Sequence, residues 1–476
     1  LGESVLQGAK IRHLEYTVTS KGWAELDPKS ISYILKDSPE YIYKCGLSLL
    51  LVPPELDKVP IISHHHGDPS KYRGRPAGFY EMLNDEVVVG QIVQVLSNKL
   101  DAGRILAYGE SKISAWSYKK TLKEAYEISP YIFINALRNL RGREEVEIIP
   151  IGRNYRLPTN LITMRFLASA FFEKLKRIIY GAFYEKRWNV AISSNPLAST
   201  SDLLPLLNYA CSRPQGDRLI PIDKKYTFYA DSFLLDRNVL VEGLRRSDGV
   251  GELLELDSDS FGVLRCIRPS YSGQKHLSYP YVHKENSSVC IYPDSGEFDK
   301  PFLLKKDKTS PSKFQTIEFS NSVFESGITD PSVIYFDGNY YLFGNSPSES
   351  NILRLWVGDD PIFSNAVEHP RSPVHMGPRG SRSGGKIFGN DDQIFRLGQN
   401  FCRGYGNGLF VYKISALTPA FFEEYLIDEI KFDHPICGPH TFDASNELMC
   451  WDYYYDRFSL LAGYRRVLVK LKSKIH

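Results

Sequence analysis

Three adjacent histidines, His64, His65 and His66, stand in the stretch ISHHHGDPSKYRG, and Asp101 follows in LSNKLDAGRIL. Histidine titrates near neutral pH and suits a general base. A carboxylate beside it would orient the ring and stabilise the imidazolium, and His65 with Asp101 are the candidates for that pair. Transfer of a formyl group to an amine needs such a pair. The nitrogen must shed a proton, and the oxyanion that builds up needs a donor. Neighbours on a strand point to opposite faces, so the three histidines cannot all reach one target. Taken alone, a loop histidine and a turn aspartate before Gly103 also suit a purely structural role. No second ligand group at useful spacing joins the histidines, which argues against metal hydrolysis.

The elements that must position these residues read as α/β. Residues 1–62 suggest strand, helix and strand, and the run EVVVGQIVQVL is rich in β-branched residues, with GRILAYG as a further short strand. Two stretches, SYKKTLKEAYEISPYIFINALRNLRG and NLITMRFLASAFFEKLKRIIYGAFYEKRW, carry apolar residues at three- and four-residue spacing and predict helices.

The histidine stretch resembles the 10-formyltetrahydrofolate-dependent formyltransferases. Their motif runs Asn, any residue, His, then Arg-Gly, and later Leu-Asp-x-Gly. Laid over this chain without gaps it places the catalytic histidine on His65, the Arg-Gly on Arg73 and Gly74, and the catalytic aspartate on Asp101, 36 residues after His65. Ser63 stands where the family has the asparagine that helps polarise the formyl oxygen, so the resemblance implies that the Ser63 hydroxyl takes its place as oxyanion donor, and His66, Gly67 and Asp68 replace the usual short loop, as in a subset of the family. The resemblance implies 10-formyltetrahydrofolate as donor, with a pterin pocket built from the strand Cys45 to Leu50 and the loop Leu96 to Leu100. Gly46, Leu47, Leu49, Leu100 and Gly103 would contact the cofactor, and His66, Asp68 and Arg73 the acceptor. Only 62 residues precede Ser63 and the chain opens without methionine, so the first strand and helix of a complete Rossmann-like domain are expected upstream.

Beyond about residue 188 the texture changes to short aromatic strands and tight turns. One unit recurs with turns near Arg237, Asn286, Gly338, Asp391 and Asn446, at intervals of 49, 52, 53 and 55. Five units of that period predict a five-bladed β-propeller rather than an irregular sandwich, whose turns recur every 8 to 12 residues. The polar residues entering each unit, Asp231, Tyr279, Asp330, Arg382 and His440, are candidates to face a shared sugar pocket. This half resembles arabinanase-like and xylosidase-like propellers and the propeller domain associated with glucosamine inositolphosphorylceramide transferase. Asp231 and Asp330 could act as a carboxylate pair, but no glutamate matches the glycosidase acid, which favours binding over hydrolysis.

The fold expected is therefore multi-domain α/β plus all-β. It comprises a partial Rossmann-like formyltransferase domain over 1–125, a helical extension and bridge over 126–187, and the five-bladed β-propeller over 188–476. The expected reaction is formyl transfer to an amino sugar or glycoconjugate, and the alternative is a carbohydrate-binding or glycoside-processing propeller beside a non-catalytic domain. Lysine plus arginine (58) balances aspartate plus glutamate (56), leaving a net charge of +2 that calls for neither nucleic acid nor an anionic membrane. Seven cysteines without CxxC pairs fit a reducing cytoplasm better than a disulfide framework or a zinc site. No apolar run reaches spanning length.

Overall fold

A computed structural model describes residues 13–45, 49–142, 146–269, 275–285, 288–306, 313–389 and 393–472. The chain forms two compact units, one of residues up to Glu110 with Tyr118–Phe166, the other of Ser111–Ser117 with Leu167 onward. Gly46, Leu47, Asn286 and Asp391, singled out above, lie outside the described residues.

The first unit is built on a four-stranded sheet ordered Ile42–Lys44, Ile61–His65, Val88–Val95, Arg104–Lys112. Ile42–Lys44 runs parallel to Ile61–His65, which pairs antiparallel with Val88–Val95. Val88 through Gln94 are buried without alternation, as a strand covered on both faces requires. The 25-residue helix Tyr118–Gly142 packs on this strand through Ala125, Ile128 and Ile132. A shorter helix, Pro28–Asp37, starts where Asp27 accepts the Ser30 N–H at 2.7 Å with Pro28 in the first turn. Two short segments far apart in sequence, Tyr72–Gly74 and Arg153–Tyr155, pair in parallel.

The second helix predicted above forms over Asn160–Phe183 and stops earlier than its periodicity suggests. From Tyr184 the chain is a strand, because Tyr184–Ser194 pairs antiparallel with Leu448–Phe458 along its whole length, from Tyr184 with Phe458 to Ser194 with Leu448. Tertiary pairing overrides local helix preference here.

Among the described residues the second unit is mostly β and contains five sheets. The pair just described, with Arg218–Leu219, Ile436–Cys437 and Phe442–Ala444, makes one. Four more follow in chain order and begin with Tyr226–Leu235, Ser278–Glu285, Thr329–Phe336 and Arg379–Ser383. Their neighbouring strands are antiparallel. Phe336 pairs with Asn339 across Asp337-Gly338, both at positive φ (46° and 79°), a two-residue turn of the kind an Asp-Gly dipeptide favours. Successive sheets meet through their first strands and share cores: Phe233, Tyr281, Leu303 and Leu342, from three consecutive sheets, belong to one buried cluster.

Candidate functional site

Strand Ile61–His65 divides the histidines as alternation demands. His65 shares its face with Ser63, while His64 and His66 stack on each other at 4.5 Å on the opposite face. His64 Nε2 lies 3.3 Å from Gln91 Oε1, and His66 Nε2 lies 3.0 Å from the Ser129 hydroxyl. Burial lowers His64 to about 4 and His66 to about 3, so both are neutral near pH 7. His66 thus packs against helix Tyr118–Gly142.

His65 faces the other way. Its Nδ1 lies 3.4 Å from Asp101 Oδ1, and its Nε2 lies 3.3 Å from the Tyr72 carbonyl. Asp101 sits at φ 45°, where aspartate is among the better tolerated residues, and its Oδ2 accepts the Gly74 N–H at 2.9 Å. The Arg73-Gly74 segment therefore anchors the carboxylate through backbone, while the Arg73 guanidinium turns aside to the Gly152 carbonyl at 2.7 Å. Asp68 closes its own loop, accepting from Ser70 N–H and Oγ at 2.9 and 2.6 Å. Gly103 donates its N–H to Gln94 Oε1 at 2.9 Å, and a Cβ there would collide with the Val95 carbonyl, so its role is in shaping the Asp101 loop.

A cleft of about 800 Å³ opens on His65 and Asp101. Leu49 and Leu100 line it, with Trp23 and Tyr155 as aromatic walls and Lys21, Arg75 and Arg156 as cations. Ser63 is not among the lining residues: it is buried, 9% exposed, and paired in register with Lys44 and Gln94. Burial lowers the Lys44 ammonium below its usual range, against the pull of Asp101. A second recess, behind His65, is lined by Arg73, Glu81 and Tyr155; burial raises Glu81 to about 7. Tyr155, Arg75, Lys44 and Glu81 were not singled out from sequence. Tyr155 reaches the site only because two short distant strands pair, a contact with no local signature.

In the second unit, first strands carry a repeated bulge. Two residues oppose one between Ala230 and Phe233, Ser278 and Tyr281, and Thr329 and Ser332, with Asp231, Tyr279 and Asp330 at φ 51°, 48° and 46°. Gly380 (φ 88°) and Gly438 (φ 139°) take the positive φ in the remaining two sheets. Arg382 and His440, read from sequence as the equivalents of Asp231, Tyr279 and Asp330, therefore stand two residues beyond the structural equivalents, Gly380 and Gly438.

Four of the five predicted axial residues converge. Arg382 Nε donates to Asp330 Oδ2 at 2.8 Å, and Gln399 Nε2 donates to the same oxygen at 2.7 Å. Gln399 Oε1 lies 3.1 Å from His440 Nε2, and His440 Nδ1 lies 3.1 Å from Asp452 Oδ2 and 3.2 Å from Asp231 Oδ1. The fifth, Tyr279, turns into the core, where its hydroxyl accepts the Gly385 N–H at 2.8 Å. Burial alone would lower His440, but Asp452 and Asp231 outweigh it and raise the imidazole to about 10. Asp452, which also accepts the Asp231 and Thr441 N–H groups, stays below the usual range despite burial, while burial raises Asp231 and Asp330. The chain Asp231–His440–Gln399–Asp330–Arg382 is thus a filled polar network: Asp231, Asp330 and His440 are each at most 4% exposed. Ligand atoms of Asp231, His440 and Asp452 lie within 4.8 Å of one another, a spacing open to a metal ion, but His440 Nδ1 and Asp452 Oδ2 are engaged with each other. Gln399 and Asp452, the links of this network, were not identified from sequence.

Residues 266–445 match the family model described as "Glucosamine inositolphosphorylceramide transferase 1, N-terminal". Over 165 residues the chain is 27% identical to glucosamine inositolphosphorylceramide transferase 1 of Arabidopsis thaliana, which covers 33% of this chain and 20% of that protein. The chain thus spans about a fifth of that relative's length. Among solved structures, a 4-N formyltransferase from Francisella tularensis overlaps 30% of this chain and 66% of its own at 18% identity and TM-score 0.24. A family 117 glycoside hydrolase from Zobellia galactanivorans overlaps 47% of this chain and 83% of its own at 11% identity and TM-score 0.32. No helix among the described residues is long and apolar enough to cross a membrane.

Proposed function

We propose that the first unit transfers a formyl group from 10-formyltetrahydrofolate to the amine of an amino sugar or glycoconjugate. The amine nitrogen attacks the formyl carbon while its proton passes to His65. The bond from that carbon to N10 then breaks, N10 takes up the proton, and tetrahydrofolate leaves with a formamide as the product. Asp101 orients the His65 ring, and the Ser63 hydroxyl stabilises the oxyanion. Leu49 and Leu100 would meet the pterin, Tyr155 and Trp23 would flank it, and Lys21, Arg75 and Arg156 suit carboxylates of a folate tail. The volume of this cleft falls in the range of small-molecule sites. The observation that carries the reading is the His65–Asp101 pair at 3.4 Å, opening on this cleft with Asp101 held by the Gly74 N–H. In the same reading the five sheets are the blades of a propeller that holds the glycan portion, and the protein works in the cytoplasm, which its seven cysteines without CxxC pairs suit.

The test is formyl transfer to a panel of nucleotide-linked amino sugars. His65→Ala should lower turnover by about 10²- to 10⁴-fold. Asp101→Asn, which suits the left-handed backbone, should lower it while leaving folate binding intact. Equal turnover by intact protein and His65→Ala sinks the assignment.

One observation favours a second reading, in which the β unit binds or processes carbohydrate and the first unit is not catalytic. His65 Nε2 faces the Tyr72 carbonyl rather than an open position, so the ring must be released before it can accept a proton. Calorimetry with a folate analogue separates the two readings, since absence of binding supports the second.

A further inference from the structure

We propose that the second unit docks on an anionic lipid surface through the helical stretch Leu167–Phe183. This part of the helix Asn160–Phe183 is about 25 Å long. On one side the Arg177 guanidinium lies 4.8 Å over the Trp116 ring, and the Tyr180 hydroxyl donates to Asp456 at 2.5 Å. At 3.6 residues per turn, Leu167, Phe171, Phe172, Leu175, Ile178 and Ile179 fall on a single arc of roughly 140°, centred about opposite that attachment. All six are exposed, Phe171 at 62% and Ile178 at 58%. An apolar strip of this size is uncommon on a soluble protein and marks a contact surface.

The charges decide which contact. Lys174 stands at one edge of the arc, where a long side chain can reach headgroups while its stem lies on apolar surface. At the other edge Lys176 is paired with Glu173, the one acid of the stretch, 2.6 Å away, so the acid is neutralised and Lys174 is left as the cation of the strip. The helix Ala462–Lys472 extends the same surface: Gly463 packs on the Ala182 backbone, and Arg466 donates to the Tyr180 and Gly181 carbonyls. Beside it Leu460 is 74% and Tyr464 63% exposed. A second copy of this chain would set these cations against their own like charges, whereas an anionic bilayer complements them. The near-neutral charge of the whole molecule conceals this local excess. The helix would lie in the plane of the interface, without spanning it.

Co-sedimentation of the full chain with vesicles tests the proposal, with phosphatidylcholine alone compared with phosphatidylcholine plus phosphatidylserine. Binding to the mixed vesicles is expected, and it should weaken with salt. Phe171→Glu with Ile178→Glu should lower partitioning about tenfold or more, given the apolar area each side chain buries, and Lys174→Glu should remove the preference for phosphatidylserine. Because these side chains are exposed, thermal unfolding without vesicles should be unchanged, which separates loss of docking from loss of fold. Absence of vesicle binding by the intact chain overturns the proposal. So does concentration-dependent dimerisation abolished by the same substitutions, which would make the strip a contact between copies.

Discussion

Gly67 shows how closely the candidate base is fitted to its loop. A Cβ built there would stand 2.7 Å from His65 Nε2 and 3.0 Å from the Tyr72 carbonyl, the two atoms that face each other across the ring. Its φ does not lie in the left-handed region, so alanine is tolerated by the backbone and acts through this contact. Gly67→Ala should therefore fold, with a stability loss of about 1–3 kcal/mol from overpacking. Turnover should fall while the folate affinity measured by calorimetry is retained, the signature of a residue that positions the base. Unchanged turnover would show that His65 does not need this seat. The pairing of His65 with Asp101 was legible in sequence because 36 residues separate them within a recognisable motif. The Tyr72 carbonyl opposite Nε2 was not, since a backbone group has no residue-type signature.

At the scale of elements, the fourth of the sequential sheets is pinned by a buried ion pair. Arg396, on Ile394–Asn400, donates through Nε and Nη2 to Glu424, on Phe422–Ile430, at 2.8 and 2.6 Å, and through Nη1 to the Gly380 carbonyl at the bulge at 2.7 Å. His375 Nδ1 approaches the same carboxylate at 3.1 Å. Burial would raise Glu424, but Arg396 outweighs it and holds the group at about 2, below the unfolded value near 4.3. A depressed folded pKa contributes stability that is complete above the unfolded pKa and is lost as pH falls through the folded one. Urea midpoints should therefore drop between about pH 5 and pH 2. Arg396→Ala should cost about 3–5 kcal/mol at neutral pH, because it leaves the buried carboxylate with only the His375 ring beside it, and should flatten that acid dependence. A midpoint insensitive to pH in this window would count against the pairing. The strands themselves were legible from turns and alternation. The bulges were not: an inserted residue shifts the register without altering composition, which is why Arg382 and His440 fall two positions beyond the left-handed glycines.

For the whole molecule, two units with separate cores imply separate responses to a ligand. If the folate site lies in the first unit, a folate analogue at a hundred times its Kd should stabilise that unit by about 2.7 kcal/mol. Hydrogen exchange should then slow in peptides from residues 49–110 and not in those from 226–430, read by mass spectrometry. Equal slowing throughout would show one cooperative body. What the sequence determined by itself is what depends on local pattern: the α/β character of the first third, both long helices, the repeating strand pairs beyond residue 188, and the meeting of His65 with Asp101. Tertiary structure alone decided what depends on long-range pairing. The strand from Tyr184 closes against Leu448–Phe458 and ends the helix that periodicity would continue. Strand alternation and packing send His66 to a helix and His65 to the cleft, and the contact of distant segments brings Tyr155 to the same place. The physical reason is that spacing along a chain specifies which face a residue takes, whereas the partner of that face is set by whichever distant segment buries it.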